Sequence, residues 1–269
     1  MKHAPRLVPR FDKESYGPGD AVTGAIEVTE PVENLRRLDA YLKYVDRSQN
    51  MSGAETFDAA EPLHEGPVQV GDRIPFELHL PPDALPNREE TDVGELAWSI
   101  VTEADIESGL DKTTTHSIPL DESARWTGPE PGGEPGEVKE SGGGWDLTME
   151  PDRWSLRRGE SVNVMIGLEK PSAARDDIEL GLMCQADHLV EYRNSDRELR
   201  QERRAKTVYE EWPGFDPALP RQEVTFEIPA DAPFSYEGKA FGYRWFVVAR
   251  ERRKFRSDPT RSARLRVLP

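Results

Sequence analysis

A turn that feeds an alternating apolar strand occurs twice in this chain, and that repetition limits the available folds more than any single residue does. Gly17-Pro18-Gly19-Asp20 leads into a run in which Val22, Gly24, Ile26 and Val28 share one face. Leu156-Arg157-Arg158-Gly159-Glu160 leads into Val162, Val164, Ile166 and Leu168, again on alternate positions. Gly19 and Gly159 stand 140 positions apart, and Pro31 and Pro171 end both runs at the same spacing. A period-two apolar run behind a turn is the pattern of a half-buried β-strand. Its duplication predicts two copies of one β domain.

The rest of the first half reads as further strands: Leu7–Asp12, Leu35–Val45, Ile74–Leu80, a long strand carrying Leu96, Trp98, Ile100 and Ala104, and Thr113–Leu120. Residues 46–72 read as polar loop with one strand near Pro67–Val70. The second half replays the order. Ile178, Leu180, Leu182 and Cys184 follow Leu38, Ala40, Leu42 and Tyr44 at an offset of 140. Val224, Phe226 and Ile228 follow Phe76, Leu78 and Leu80 at 148, and Tyr243, Trp245, Val247 and Ala249 follow Trp98, Ile100, Thr102 and Ala104 at 145. The offset changes only across loops, where insertions cost little. Arg193–Lys206 is charged, with Leu199 its main apolar residue, so a helix there would have no face to bury and the segment reads as a surface excursion.

Strands of this length punctuated by Gly, Pro and Asp predict an all-β chain of antiparallel sandwiches. Residues 126–144 are dense in Pro and Gly, which opposes regular structure. The predicted organisation is a domain at 1–124, a linker at 125–144 and a domain at 145–269.

Charge is distributed unevenly. Residues 1–150 carry 31 acidic against 13 basic side chains, residues 151–269 carry 20 against 22, and the net charge is −16. Phosphate repulsion by so acidic a half argues against nucleic acid as a partner. Met1–Pro9 places charges and prolines where a secretory signal needs an apolar block, and no window is apolar over the length of a bilayer span. These features predict a cytoplasmic chain without a transmembrane segment. The single cysteine, Cys184, excludes an intramolecular disulfide and lies in phase with Leu182, as a small buried hydrophobe would.

Residues able to carry chemistry are sparse. His3, His64, His79, His116 and His188 show no metal-ligand spacing, and His79 and His116 read as surface histidines. Glu89-Glu90 and Asp176-Asp177 read as solvated loop charge. No Gly-x-Ser-x-Gly elbow or phosphate-binding glycine loop occurs. The sequence therefore predicts no catalytic residues, no metal and no cofactor. Two clusters remain. The basic run of Arg250, Arg252, Arg253, Lys254 and Arg256, followed by Arg261, Arg264 and Arg266, is either a solvated hairpin or a patch for an acidic partner or anionic headgroups. The aromatic run places Phe241, Tyr243 and Trp245 on one side of a strand and Phe246 and Val248 on the other. Cover on both sides would make it structural; an open side or sheet edge would serve a partner or a second copy of the chain.

The Tyr16-x-Pro-Gly-Asp-x-Val-x-Gly24 opening resembles the start of arrestin-fold domains. The strand–Pro–Asp–Pro loops at Leu80–Pro86 and Ile228–Pro233, with the aromatic-bearing strands after them, extend the resemblance over nearly the whole chain. Within that superfamily the chain is most similar to the prokaryotic sporulation-control arrestin-like family. The resemblance implies two tandem immunoglobulin-like β-sandwiches forming a non-catalytic scaffold, adaptor or regulator that binds another protein, with a role in sporulation or stress response. The second copy lacks the Tyr-Gly-Pro turn, and no basic pair matches the arrestin phosphate sensor, so phosphopeptide binding is not carried over. The alternative is a sandwich that binds a small ligand or carbohydrate, which predicts a concave pocket lined by aromatic rings.

Overall fold

The structure is a computed structural model that describes residues 7–48, 51–59, 62–82, 84–90, 94–107, 112–121, 136, 138–141, 147–170, 178–193, 198–251 and 259–269. The chain divides into two compact units, Met1–Pro129 and Glu130–Pro269. Among the described residues both are built of strands and turns, with no helix.

The first unit contains β1 (Leu7–Phe11), β2 (Ala21–Val28), β3 (Leu35–Ser48), β4 (Met51–Ala59), β5 (His64–Glu65), β6 (Arg73–His79), β7 (Arg88–Glu90), β8 (Gly94–Ile106) and β9 (Lys112–Ser117). They form a three-stranded sheet, β1-β2-β6, and a six-stranded sheet ordered β4-β3-β8-β7, with β5 on β3 and β9 on β8. Alternation decides which residues fill the interior. Val22, Ile26, Phe76 and Leu78 from the small sheet and Leu38, Ala40, Leu42, Trp98 and Ile100 from the large one are all buried, giving a sandwich-like core.

The second unit contains β10 (Val138–Ser141), β11 (Leu147–Pro151), β12 (Ser155–Arg157), β13 (Ser161–Leu168), β14 (Ile178–Arg193), β15 (Leu199–Glu211), β16 (Arg221–Glu227), β17 (Tyr236–Glu237), β18 (Phe241–Glu251) and β19 (Thr260–Leu268). Its sheets are β11-β13-β16 and a seven-stranded sheet ordered β10-β19-β18-β14-β15, with β12 on β19 and β17 on β18.

Register repeats between the units residue by residue. Leu7 faces Val28 and Leu147 faces Leu168. Val22 faces Leu78, and Val162 faces Phe226. The launching turns repeat too: Asp20 accepts a hydrogen bond from the Gly17 amide (3.1 Å), and Glu160 accepts one from the Arg157 amide (2.8 Å). Gly19 (φ 80°) and Gly159 (φ 79°) take the left-handed conformation that glycine adopts at least cost. A parallel contact closes each unit, Tyr16 to Leu120 in the first and β12 to β19 in the second.

Four sequence expectations change. Trp98 and Trp245 occupy the same place, since Tyr44 faces Trp98 and Cys184 faces Trp245. The offset there is thus 147 rather than 145, set by loop insertions that apolar alternation does not register. Pro67–Val70 is not a strand; Val68 makes one bridge to Val32, and the region's strands are β4 and β5. Of the surface excursion, Arg193 ends β14 and Leu199–Lys206 belong to β15, which pairs with β14 along its length, while residues 194–197 lie outside the described residues. The linker contains β10, which pairs with β19 through four residues that are all exposed. Backbone hydrogen bonds hold β10 and most of β15, so no apolar period marks either strand.

Candidate functional site

The basic run resolves into internal pairs where it is described. Arg250, on β18, donates from Nε to Glu179 on β14 at 2.6 Å, and its guanidinium lies 4.0 Å from the Trp212 ring centre. Arg261 reaches the Leu147 carbonyl and Glu140, and Arg264 pairs with Glu237. Each contact joins two strands of the second unit, and that of Arg261 with Leu147 joins its two sheets, so these arginines serve the unit's own packing. Arg252, Arg253, Lys254 and Arg256 lie outside the described residues.

The aromatic run separates by side. Phe241, Tyr243 and Trp245 are buried, and the Trp245 indole donates to the Pro233 carbonyl at 2.8 Å. Trp98 makes the matching bond to Leu85 at 2.9 Å. On the outer face Phe246 and Val248 are only half-buried, beside Met183 and Gly181 of β14.

The neighbouring edge is exposed over a long run. β15 closes the seven-stranded sheet, and no described strand pairs with its outer side. Its base is fixed on both faces. Inside, Tyr209 sits 5.5 Å from Trp245, and burial together with the Glu211 carboxylate pushes its phenol up to about 12. Outside, Trp212 lies against Gly181, where a Cβ would come within 2.5 Å of the indole. Asp187 of β14, nearly fully buried, pairs with Arg244 of β18 beside this hairpin. Beyond this base, Leu199–Thr207 is exposed at every position. Along one face Glu198 pairs with Arg200 (3.0 Å) and Glu202 with Arg204 (3.2 Å), so charge alternates in sign every second residue. The sequence signal for this edge was a glycine inside an apolar strand together with a charged run ending in Trp212-Pro213-Gly214.

The first unit ends its large sheet on β4, the counterpart of β15. Its outer face holds a cavity of about 260 Å³ lined by Asp39, Glu103, Ala104, Asp105 and Thr113. No aromatic ring is among these residues, and Arg37 and Arg36 pair with Asp39 and Asp105 at 2.8 Å and 2.6 Å. His79 is exposed, but His116 is half-buried, with Nε2 enclosed and lacking a hydrogen-bond partner. Burial holds its pKa below the usual histidine value, which corrects the surface reading of that residue. Cys184 is fully buried. Among the described residues no three of His, Cys, Asp and Glu converge as metal ligands, and no helix is long and apolar enough to cross a membrane.

Compared with known proteins, the chain matches no family model and no curated sequence.

Proposed function

We propose that the chain is a non-catalytic scaffold or adaptor, made of two tandem arrestin-like β-sandwiches, that holds a partner protein by adding one of its strands to an open sheet edge. Control of sporulation or stress response is the role that the arrestin-like resemblance favours. The observation that carries the reading is β4. It is a nine-residue strand, Met-Ser-Gly-Ala-Glu-Thr-Phe-Asp-Ala, at the end of the six-stranded sheet. Edge strands are commonly guarded against new pairing by charged side chains, above all Lys, or by Pro; β4 contains neither Lys nor Pro, its charges being Glu55 and Asp58. An edge of that kind suits an extended segment, whose main chain supplies hydrogen bonds and whose alternate side chains supply specificity.

Affinity capture with the whole chain from its native cell, followed by mass spectrometry, tests this. A specific protein is expected to be retained. A variant carrying Ser52→Lys and Ala54→Lys is expected to lose that protein while keeping the melting temperature of the parent. Retention unchanged by the two lysines overturns strand addition at β4, and turnover of a small substrate by the purified chain overturns the non-catalytic reading.

A further inference from the structure

β15 differs from β4 in its chemistry, and the difference selects another occupant. Glu198, Arg200, Glu202 and Arg204 alternate with Leu199, Gln201 and Arg203, so strand periodicity puts the four charges on one face. Both i,i+2 pairs lie in water, with side chains 59% and 61% exposed for Arg200 and Glu198 and 53% and 51% for Arg204 and Glu202. Charges of a single sign would repel any second copy of the edge. Charges alternating at every second residue repeat with period four, and such a row is its own complement when run antiparallel.

We infer that β15 pairs with β15 of a second copy of this chain, antiparallel, about a two-fold axis through Gln201. In that register Glu198 stands opposite Arg204 of the partner copy, Leu199 opposite Arg203, Arg200 opposite Glu202, and Gln201 opposite itself. The axis doubles each pair, so each of these four charges faces its opposite, while Lys206, in the same phase, lies beyond them. Opposite charges directly across an antiparallel pair attract, and like charges repel. Neighbouring registers keep only half of this match, Glu202 opposite Arg204 with the axis at Arg203 or Glu198 opposite Arg200 with it at Leu199. Moving the axis to Arg203 places Arg200 opposite Lys206 and Arg203 opposite itself. Parallel, in-register pairing places every charge opposite its like.

The remaining geometry suits the same partner. The segment is exposed over nine consecutive residues, a length typical of paired strands. Leu199, 62% exposed in one copy, is placed beside the aliphatic stem of the other copy's Arg203. The contact is isologous and closes after two copies, joining two seven-stranded sheets into one. It depends on β15 alone, so it does not require a partner on β4.

Sedimentation equilibrium of the whole chain tests the pairing with two double variants. Glu198→Arg with Glu202→Arg makes the row wholly basic; Arg200→Glu with Arg204→Glu makes it wholly acidic. The native chain is expected to dimerise by about 100 µM, and each variant to dimerise at least about tenfold more weakly. Mixed in equal amounts, the two variants are expected to form a heterodimer, which a merely structural role for these side chains would not produce. Gln201→Cys is expected to cross-link across the axis under mild oxidation, because antiparallel partners lie within disulfide reach. The native cysteine, Cys184, is fully buried and serves as the unreactive control.

A native chain that sediments as a monomer overturns the inference, as do variants that dimerise like the native chain or a dimer in which Gln201→Cys does not cross-link. A monomer that still captures a foreign protein overturns this inference alone. A dimer that captures none overturns the adaptor reading alone.

Discussion

The two units place a ring on each face of their larger sheet at the same point, but they draw those rings from different strands. In the first unit both come from β3: Tyr44 inside, 4.9 Å from Trp98, and Tyr41 outside, bonded to Glu103. In the second unit the matching positions of β14 are Cys184 and Gly181. The rings there arrive from the neighbouring edge, Tyr209 inside against Trp245 and Trp212 outside against Gly181. A second exchange of volume occurs in the smaller sheets. Gly24 faces Phe76 in the first unit, whereas Val164 faces Val224 in the second. What is kept between the units is the filling of a space and the register around it, not the residue at a position. Close packing explains this, because a core constrains summed volume more tightly than the source of each atom. The exchange also has a mechanical effect. β15 is clasped from both faces at its base, which steadies the exposed segment beyond.

The sharpest break of this comparison removes the shared indoles. Trp98→Ala and Trp245→Ala are each expected to cost about 3–5 kcal/mol, read as loss of stability in urea unfolding of the unit concerned. A large loss for one and none for the other would show that the two indoles do not hold equivalent places. The next effect tests the relocated ring. Cys184→Tyr places a second ring where Tyr209 already lies and is expected to cost about 1–3 kcal/mol. Adding Tyr209→Glu reproduces the first unit, where Tyr44 faces Glu55, and most of the loss is expected to return in a double-mutant cycle.

The smallest effect concerns pH. Burial first, and the carboxylates of Glu103 and Glu211 second, push the Tyr41 and Tyr209 phenols from 10.0 up to about 12. A phenol whose pKa is raised by folding favours the neutral form in the folded chain. Its contribution to stability is full below pH 10 and is lost as pH rises through about 12. Both units are expected to weaken alike over that window in alkaline denaturation. Tyr41→Phe and Tyr209→Phe are each expected to flatten the slope of one unit, and a slope confined to one unit would break the parallel.

What could be read from the residues follows from which faces are buried. β2, β6, β13 and β16 alternate visibly because one face of each meets the core, as Val22, Ile26, Val162 and Phe226 do. β10 and the outer part of β15 expose both faces, so their side chains carry no period and only backbone pairing makes them strands. Arg193–Lys206 shows no apolar face at helical spacing, whereas strand spacing puts Glu198, Arg200, Glu202 and Arg204 on one face. Arg250 read as part of a cationic run because its partner, Glu179, is 71 residues earlier in the chain. Trp98 and Trp245 both read as aromatic strand residues, but their equivalence needs the cross-strand neighbours Tyr44 and Cys184.

The parallel contacts of Tyr16 with Leu120 and of β12 with β19 tie the stretch that launches β2 or β13 to a residue late in the same unit's path. Late segments of a domain fray unless something anchors them. Each contact therefore works as a latch: the far end of a unit's path has to let go before the stretch that launches its first long apolar run can open.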